Sequence, residues 1–310
     1  MKVFEGLNGF KKLDFAVVTS GTFDGVHTGH QAVLNRVVDI AHKYNGESVL
    51  LTFWPHPRMV LNHKSDFLKL INSIEEKETI LGGYGIDFLV KIPFTREFAE
   101  TSSEDFIRNI LVGKIGTRKL VIGYNHRFGK NREGNFENLV QHSHRYGFEV
   151  EEIPRHEVDH LAISSSIIRQ ALHEGDVETA TRYMGRPYEL CGVVIQGDKL
   201  GRTIGFPTAN IRVTDDYKLV PGDGTYACRV LVDDRKYRGM MNIGIRPTLD
   251  GKQRRIEVHI IDFDGDIYGR KLTLHFTHRL RDEKKFESLE ALKNQLTQDC
   301  ERVKSLLSLS

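Results

Sequence analysis

Short apolar runs alternate with stretches of helical periodicity through the first half of the chain. Asp14–Thr19 (DFAVVT), Ser48–Phe53 (SVLLTF), Asp87–Ile92 (DFLVKI) and Lys119–Gly123 (KLVIG) predict buried strands. Between the first two, Val33, Leu34, Val37, Val38 and Ala41 recur at helical spacing and predict a helix with one apolar face. Further helices are expected around Ser103–Leu111 and Asn135–Tyr146. Such alternation implies a parallel sheet covered on both faces, with ligands bound beyond the carboxyl ends of its strands.

The pattern changes after about residue 185. Leu190–Gln196, Thr225–Val232, Lys236–Ile243, Arg255–Asp262 and Lys271–Phe276 read as strands separated by Gly, Pro and Asp turns, which suggests a small antiparallel barrel. Phe286, Leu289, Leu292, Leu296, Cys300, Val303 and Leu307 then form a helical stripe expected to pack on that barrel. Gly185-Arg186-Pro187 interrupts a helical segment. The sequence therefore predicts an α/β domain over 1–185 followed by a β domain over 186–310, and its 310 residues exceed what one core usually serves.

Composition narrows the function less than the motifs do. The chain is 39% hydrophobic and 28% charged, with a formal charge of +2, as in soluble globular proteins. No dense Lys/Arg stripe with interleaved aromatics occurs, so nucleic acid is not an expected partner. Cys191, Cys228 and Cys300 are far apart, which argues against a disulfide framework or a Cys-rich zinc site and for a reducing compartment. With no apolar run near 18 residues and no signal-like start, a cytoplasmic protein without a membrane partner is expected. The oligomeric state is left open.

Two segments carry chemistry. Gly21-Thr22-Phe23-Asp24-Gly25-Val26-His27-Thr28-Gly29-His30 follows the first strand and opens the first helix. Its glycines let backbone approach a ligand, and the helix N-terminus favours phosphate oxygens. His27 and His30, three apart, could point to one side and donate to a phosphate in its transition state. A metal half-site and two ordinary surface histidines are the competing readings. No GxxxxGK[ST] sequence is present, which excludes a P-loop.

In the second half, the segment from Gly192 to Asn210 runs from a strand through a Gly- and cation-bearing loop (Lys199, Arg202, Gly205) into Pro207-Thr208-Ala209-Asn210. Thr208 and Asn210 share a face of an extended segment, where both could reach one hard cation such as magnesium. In Glu257-Val258-His259 the alternation puts Glu257 and His259 on the face opposite Ile256 and Val258. A carboxylate on the inward face of a barrel would be costly unless employed, for instance as a general base. A solvent-facing edge-strand Glu is the alternative.

These segments resemble the bacterial bifunctional riboflavin kinase/FAD synthetase family over nearly the whole chain. In the first half, FDGVHTGH, Thr52–Pro57 (TFWPHP, with His56), Gly123–Gly129 (GYNHRFG, with Asn125 and Arg127) and Ile163–Arg169 (ISSSIIR) match its motifs in order, Asn125 standing where many members have Asp. The second half matches through GRTIGFPTAN, NIGIRPT, EVH and DFDGDIYG (Asp262–Gly269). The resemblance implies a Rossmann-like nucleotidylyltransferase domain followed by a riboflavin-kinase barrel with a C-terminal helix. It also implies two ATP-dependent reactions, riboflavin to FMN and FMN to FAD with release of pyrophosphate.

On the same resemblance, His27 and His30 serve the triphosphate, with Gly21, Phe23, Asp24, Gly25, Gly29, His56, Asn125 and Arg127 lining the nucleotide and FMN site. Ser164, Ser165 and Arg169 would hold the departing phosphates. Glu257 would activate the riboflavin 5′-hydroxyl, and Thr208 and Asn210 would bind magnesium and nucleotide phosphate. Lys199, Gly205 and Pro207 would help cover ATP, and Arg279 and Arg281 would border the flavin. A single retained activity, or a flavin-binding regulatory or storage protein on the same scaffold, are the readings it competes with.

Overall fold

The computed structural model describes residues 1–61, 68–124, 126–154, 163–197, 200–233, 235–248 and 251–308, of which 246–248 and 251–253 are described as backbone only. The chain forms two compact units, Met1–Ser165 and Ser166–Ser310.

The first unit is built on six parallel strands: β1 (Lys2–Glu5), β2 (Ala16–Ser20), β3 (Glu47–Trp54), β4 (Phe88–Pro93), β5 (Thr117–Gly123) and β6 (Glu149–Ile153). They lie in the order β1-β4-β3-β2-β5-β6. Both faces are covered, so the inner strands are largely apolar and alternate between two cores. Ala16, Val18, Val49, Leu51, Leu120 and Ile122 enter one core. Val17, Leu50, Leu89 and Val121 enter the other, against Val33, Leu34, Val37, Ile40 and Ala41 of helix α1 (Thr28–Lys43), with Val38 at its margin. Each such aliphatic side chain taken from water contributes about 1.5–3 kcal/mol, which fixes strand register and helix face together. The two edge strands β1 and β6 were not visible in the sequence pattern.

The helix expected over Ser103–Leu111 takes another form. Ser102 caps a single turn, Ser103–Asp105, which continues as a π-helix over Phe106–Ile115. Its buried positions are Phe106, Ile107, Ile110, Leu111 and Ile115. Gly116 ends it at φ 84°, and both its N–H and the Thr117 hydroxyl donate to the Leu111 carbonyl. A Cβ on Gly116 would stand 2.1 Å from the Leu13 carbonyl oxygen, so only glycine fits.

Helices Ser165–Glu174 and Val177–Met184 lead into the barrel, the second closed by Gly185 at φ 68°. The barrel strands are β7 (Glu189–Ile195), β8 (Ala209–Arg212), β9 (Gly224–Val232), β10 (Arg235–Thr248), β11 (Gly251–Ile260) and β12 (Lys271–Arg281). They close in the order β10-β11-β8-β7-β12-β9, with antiparallel pairing throughout. The short β8, which carries the second candidate site, was not expected as a strand. The helical stripe at the C-terminus packs only in part. In helix Leu289–Leu306, Leu296, Cys300, Val303 and the following Leu307 rest on Ala227, Met240, Ile261 and Leu280, whereas Leu289 is 71% exposed.

Candidate active sites

Strand β2 lies between β3 and β5, and the chain leaves it in one direction through β3 and β4 and in the other through β5 and β6. This is the switch point at which open parallel sheets leave a crevice. The loop that follows β2 has left-handed backbone at Phe23, Gly25 and Val26, with φ of 47°, 87° and 37°, which is strained at the two non-glycine positions. The buried Asp24 holds the loop down, accepting the Ile71 N–H at 3.0 Å, while the Asp24 carbonyl accepts from the Ser165 hydroxyl at 2.9 Å. A Cβ on Gly25 would meet Ile71 Cδ1 at 2.8 Å.

His27 is the N-cap of α1, and its Nδ1 accepts the His30 N–H at 3.3 Å. Its proton therefore sits on Nε2 when the ring is neutral. The His27 and His30 rings stack 3.6 Å apart at 18°, and Phe23 lies 4.8 Å from His30. Burial, then the neighbouring His27 and the Lys77 ammonium, push His30 well below the usual imidazole range, so it is neutral at pH 7. Its Nδ1 is buried and has no hydrogen-bond partner among the described residues. Gly29 is buried in the first turn of α1, which carries no acidic residue, so the helix end presents an uncompensated positive pole.

The other expected residues of this site come from several segments of the chain. Gly21 follows β2, where a Cβ would crowd the Phe23 ring at 3.0 Å. His56 is buried after the cis Trp54–Pro55 bond, its Nδ1 accepting the Arg58 N–H at 3.1 Å. Arg127 is exposed after β5, and Asn125 lies outside the described residues. Ser164 is half-buried, and Arg169, on the helix that Ser165 begins, donates to the Ser166 hydroxyl at 3.5 Å. Two residues that sequence reasoning missed stand close by. His126 Nε2 is 3.4 Å from the Ser20 hydroxyl at the end of β2, and burial, then Arg132, lower it to about 4. Lys77 is buried beneath the loop, donating to the Thr22 carbonyl at 3.1 Å and the Thr52 hydroxyl at 3.4 Å. It comes from helix α2 (Ile74–Gly82).

The second site lies on the outside of the barrel. Ile256, Val258 and Ile260 are buried, and the side chains between them, Glu257 and His259, point outward and are half-exposed. The expectation of an inward carboxylate is thus corrected: strand alternation gives the interior to the aliphatic positions, and Glu257 escapes the cost of full burial. In register, Glu257 is opposite Asn210 of β8 on one side and Asn242 of β10 on the other, and Asn242 is opposite Thr225 of β9. The Thr225 hydroxyl donates to Asn242 Oδ1 at 3.2 Å. A polar row therefore crosses four strands on a single face.

The described part of the loop before β8 packs against His259, two residues along β11 from Glu257. Its Leu200–Thr203 turn is closed by Phe206 N–H donating to the Gly201 carbonyl at 2.8 Å, with Gly205 exposed at φ 87°. Pro207 is anchored through its carbonyl, 2.8 Å from His259 Nδ1, and Phe206 meets the His259 ring edge-on at 5.4 Å. Asn210 is buried and Thr208 half-buried; Lys199 lies outside the described residues. Gly197 leaves the Asn210 amide its room: a Cβ there would stand 2.1 Å from Asn210 Nδ2. Arg279 and Arg281 belong to β12 and have structural partners. Arg281 pairs with the buried Asp299 at 2.8 Å, and Arg279 donates to the Glu174 and Asp223 carbonyls at 2.9 and 2.8 Å.

Comparison with known proteins gives a family match on each half of the chain. The FAD synthetase family matches residues 10–167 and the riboflavin kinase family residues 184–307. A Haemophilus influenzae protein named bifunctional riboflavin kinase/FMN adenylyltransferase is 38% identical over 310 residues, 99% of this chain and 100% of its own. The protein of that name from Listeria monocytogenes is 39% identical over 284 residues, 91% and 90% of the two chains. A solved Streptococcus pneumoniae structure, described as a macrolide-efflux protein, superposes with a TM-score of 0.90 at 32% identity, covering 100% of this chain and 99% of the other. That description belongs to the neighbour; no helix among the described residues here is long and apolar enough to cross a membrane. By both family matches and by full-length relatives, the chain belongs to the bifunctional riboflavin kinase/FMN adenylyltransferase family.

Proposed function

We propose that the two reactions of this family, phosphorylation of riboflavin to FMN and adenylylation of FMN to FAD, are divided between the two constellations. Adenylylation is assigned to residues 1–185 and phosphorylation to 186–310. The observation that supports the division is that the His27–His30 ring pair lies in the compact unit Met1–Ser165 and the Glu257–Asn210 register in the unit Ser166–Ser310.

In the first site the FMN phosphate oxygen attacks the α-phosphorus of ATP, and the bond to the pyrophosphate oxygen breaks. No covalent enzyme intermediate is required, so alignment and charge stabilisation supply the rate. His27 donates from Nε2, and His30, neutral and desolvated behind it, keeps the pair from competing for a second proton. Ser164, Ser165 and Arg169 receive the leaving pyrophosphate. Gly21, Phe23, Asp24, Gly25 and Gly29 shape the loop around the triphosphate, and His56, Asn125 and Arg127 border the nucleotide and FMN.

In the second site Glu257 takes the proton of the riboflavin 5′-hydroxyl as that oxygen attacks the γ-phosphorus of ATP and ADP departs. In register it stands between Asn210 and Asn242, two neutral side chains on the same face. Thr208 and Asn210 offer hard neutral oxygens beside a carboxylate, a donor set that suits magnesium, and the space above Gly197 leaves the Asn210 amide unobstructed. When bound, the ion neutralises phosphate charge. Lys199, Gly205 and Pro207 belong to the segment that covers ATP. The cytoplasm is the proposed compartment, in keeping with the free thiols of Cys191, Cys228 and Cys300.

The test is a time course with riboflavin, ATP and magnesium, the flavins being separated by chromatography. FMN is expected first, followed by FAD at its expense. Accumulation of FMN alone would refute the assignment of the first site, and unchanged riboflavin that of the second; a folded protein that also left added FMN unchanged would refute both, leaving a flavin-binding protein without turnover. Gly197→Ala gives a finer check. The added methyl displaces the Asn210 amide, so kinase kcat/KM is expected to fall at least tenfold while adenylylation of added FMN stays within twofold. Equal kinase parameters in the variant would remove Asn210 from the site.

A further inference from the structure

Lys77 is a buried ammonium that the reaction as described above leaves without a task. It is 6% exposed, and among the described residues it hydrogen-bonds only to neutral oxygens, the Thr22 carbonyl and the Thr52 hydroxyl. Thr52 in turn donates to the same Thr22 carbonyl at 3.4 Å, which closes a triangle beneath the loop. The nearby carboxylates have other work: Asp24 accepts the Ile71 N–H, and Glu78 pairs with Lys91, which also holds Glu5. Burying a cation without an anion in contact is costly, and a fold retains such a group where an anion will arrive.

The direction of the Thr22 bond says what the ammonium does. In a trans peptide the C=O and the following N–H point to opposite sides of the chain. With the Thr22 carbonyl held on Lys77, the Phe23 N–H is turned to the opposite side of the chain, away from Lys77. The positive φ at Phe23 and the turn through Gly25 and Val26 continue from that fixed plane. An isolated peptide would have no reason to keep this arrangement.

We infer that Lys77 is a further positioning residue for adenylyl transfer, a buried cation that fixes the Thr22–Phe23 peptide with its N–H toward the triphosphate and supplies positive charge from below the loop. This rests on the assignment of adenylylation to the first unit. The charges that act on it are Asp24 on the loop, Glu78 on its own helix and Lys91 on β4, and it acts in turn on His30 of α1. Burial chiefly, with Lys91, lowers Lys77 to about 8, against the opposing pull of Asp24 and Glu78. The protonated form is the one that holds the carbonyl, so it must be present when nucleotide binds.

The test is the pH dependence of FMN adenylylation by the full-length protein. In the unaltered enzyme kcat/KM for ATP, which reports the free enzyme, is expected to fall about tenfold per pH unit above roughly pH 8. At saturating ATP kcat should stay level to higher pH, because bound phosphate favours the ammonium. Lys77→Met should lower kcat/KM at least tenfold at pH 7.5 and abolish the alkaline fall. Lys77→Arg, whose charge does not titrate in this range, should also abolish the fall while recovering part of the rate. Thermal melting establishes that the variants are folded, and if Lys77→Met does not fold, Lys77→Arg decides by itself. An alkaline fall unchanged in Lys77→Arg, or a folded Lys77→Met with the rate and profile of the original, would overturn the inference. Failure of the underlying assignment looks different: adenylylation would then survive His30→Ala.

Discussion

Glu257→Gln is expected to lower the turnover of riboflavin to FMN by about 10²–10⁴-fold while leaving the conversion of added FMN to FAD within twofold. The substitution keeps the volume and the hydrogen-bonding reach of the side chain on β11, so the register with Asn210 and Asn242 is undisturbed. What it removes is the capacity to take a proton. Because Glu257 stands on the outer face, the barrel interior of Ile256, Val258 and Ile260 is untouched, and the melting temperature should not move by more than a degree or two. The loss should fall on kcat, since a group acting as base does its work in the transition state and contributes little to binding riboflavin. Loss appearing only in KM would make Glu257 a binding residue, and an unaltered kinase rate would remove it from the site.

Much of this arrangement is legible in the sequence because its parts are local. The loop from Gly21 to His30 follows an apolar run and precedes an apolar helical face, so its place at a strand end can be read directly. Thr208 and Asn210 show their common face by their spacing. What escapes is whatever depends on which neighbours the fold supplies. The inward or outward sense of Glu257 is ambiguous from alternation alone, since Glu257 and His259 share one parity and Ile256 and Val258 the other. Closure of the sheet decides it by burying the aliphatic set.

Lys77 escaped because it sits in a run of charges, Glu75-Glu76-Lys77-Glu78, that resembles a solvated helix face. A signal was present, however. Ile74, Lys77 and Leu81 fall at i, i+3 and i+7, and the structure buries all three. A lysine inside an apolar stripe is the pattern to look for. His126 escaped for a different reason, since its partner Ser20 is 106 residues away in sequence and adjacent only through the β2–β5 pairing. The edge strands β1 and β6 are short and rich in charged residues, KVFE and EVEEI, because each is paired on one side only. The π-helix could not be anticipated from a search that admits only the α and β periods.

His30→Ala is expected to give the complementary result: adenylylation of FMN reduced by about 10²–10³-fold, with riboflavin phosphorylation within twofold. The ring packs against both His27 and Phe23, at 3.6 and 4.8 Å, so truncation removes more than one polar atom. It unsupports the His27 imidazole, whose Nδ1 would still accept the residue-30 backbone N–H but whose ring plane would no longer be held. A second variant separates the two effects. His30→Phe restores an aromatic surface beside His27 without a ring nitrogen, so it should recover activity if His30 acts by packing alone and remain as impaired as His30→Ala if a nitrogen is required. The pH profile carries the same distinction. Burial, with His27 and Lys77, holds His30 well below the usual imidazole value, so the neutral ring is the working form at neutral pH. Raising the pH from 6 to 7.5 should therefore leave its contribution unchanged, and activity should be lost only on acidification below the ordinary imidazole range. A rise in adenylylation on acidification through pH 6.5 would show instead that the charged imidazolium does the work, and would reverse the role assigned to the buried ring.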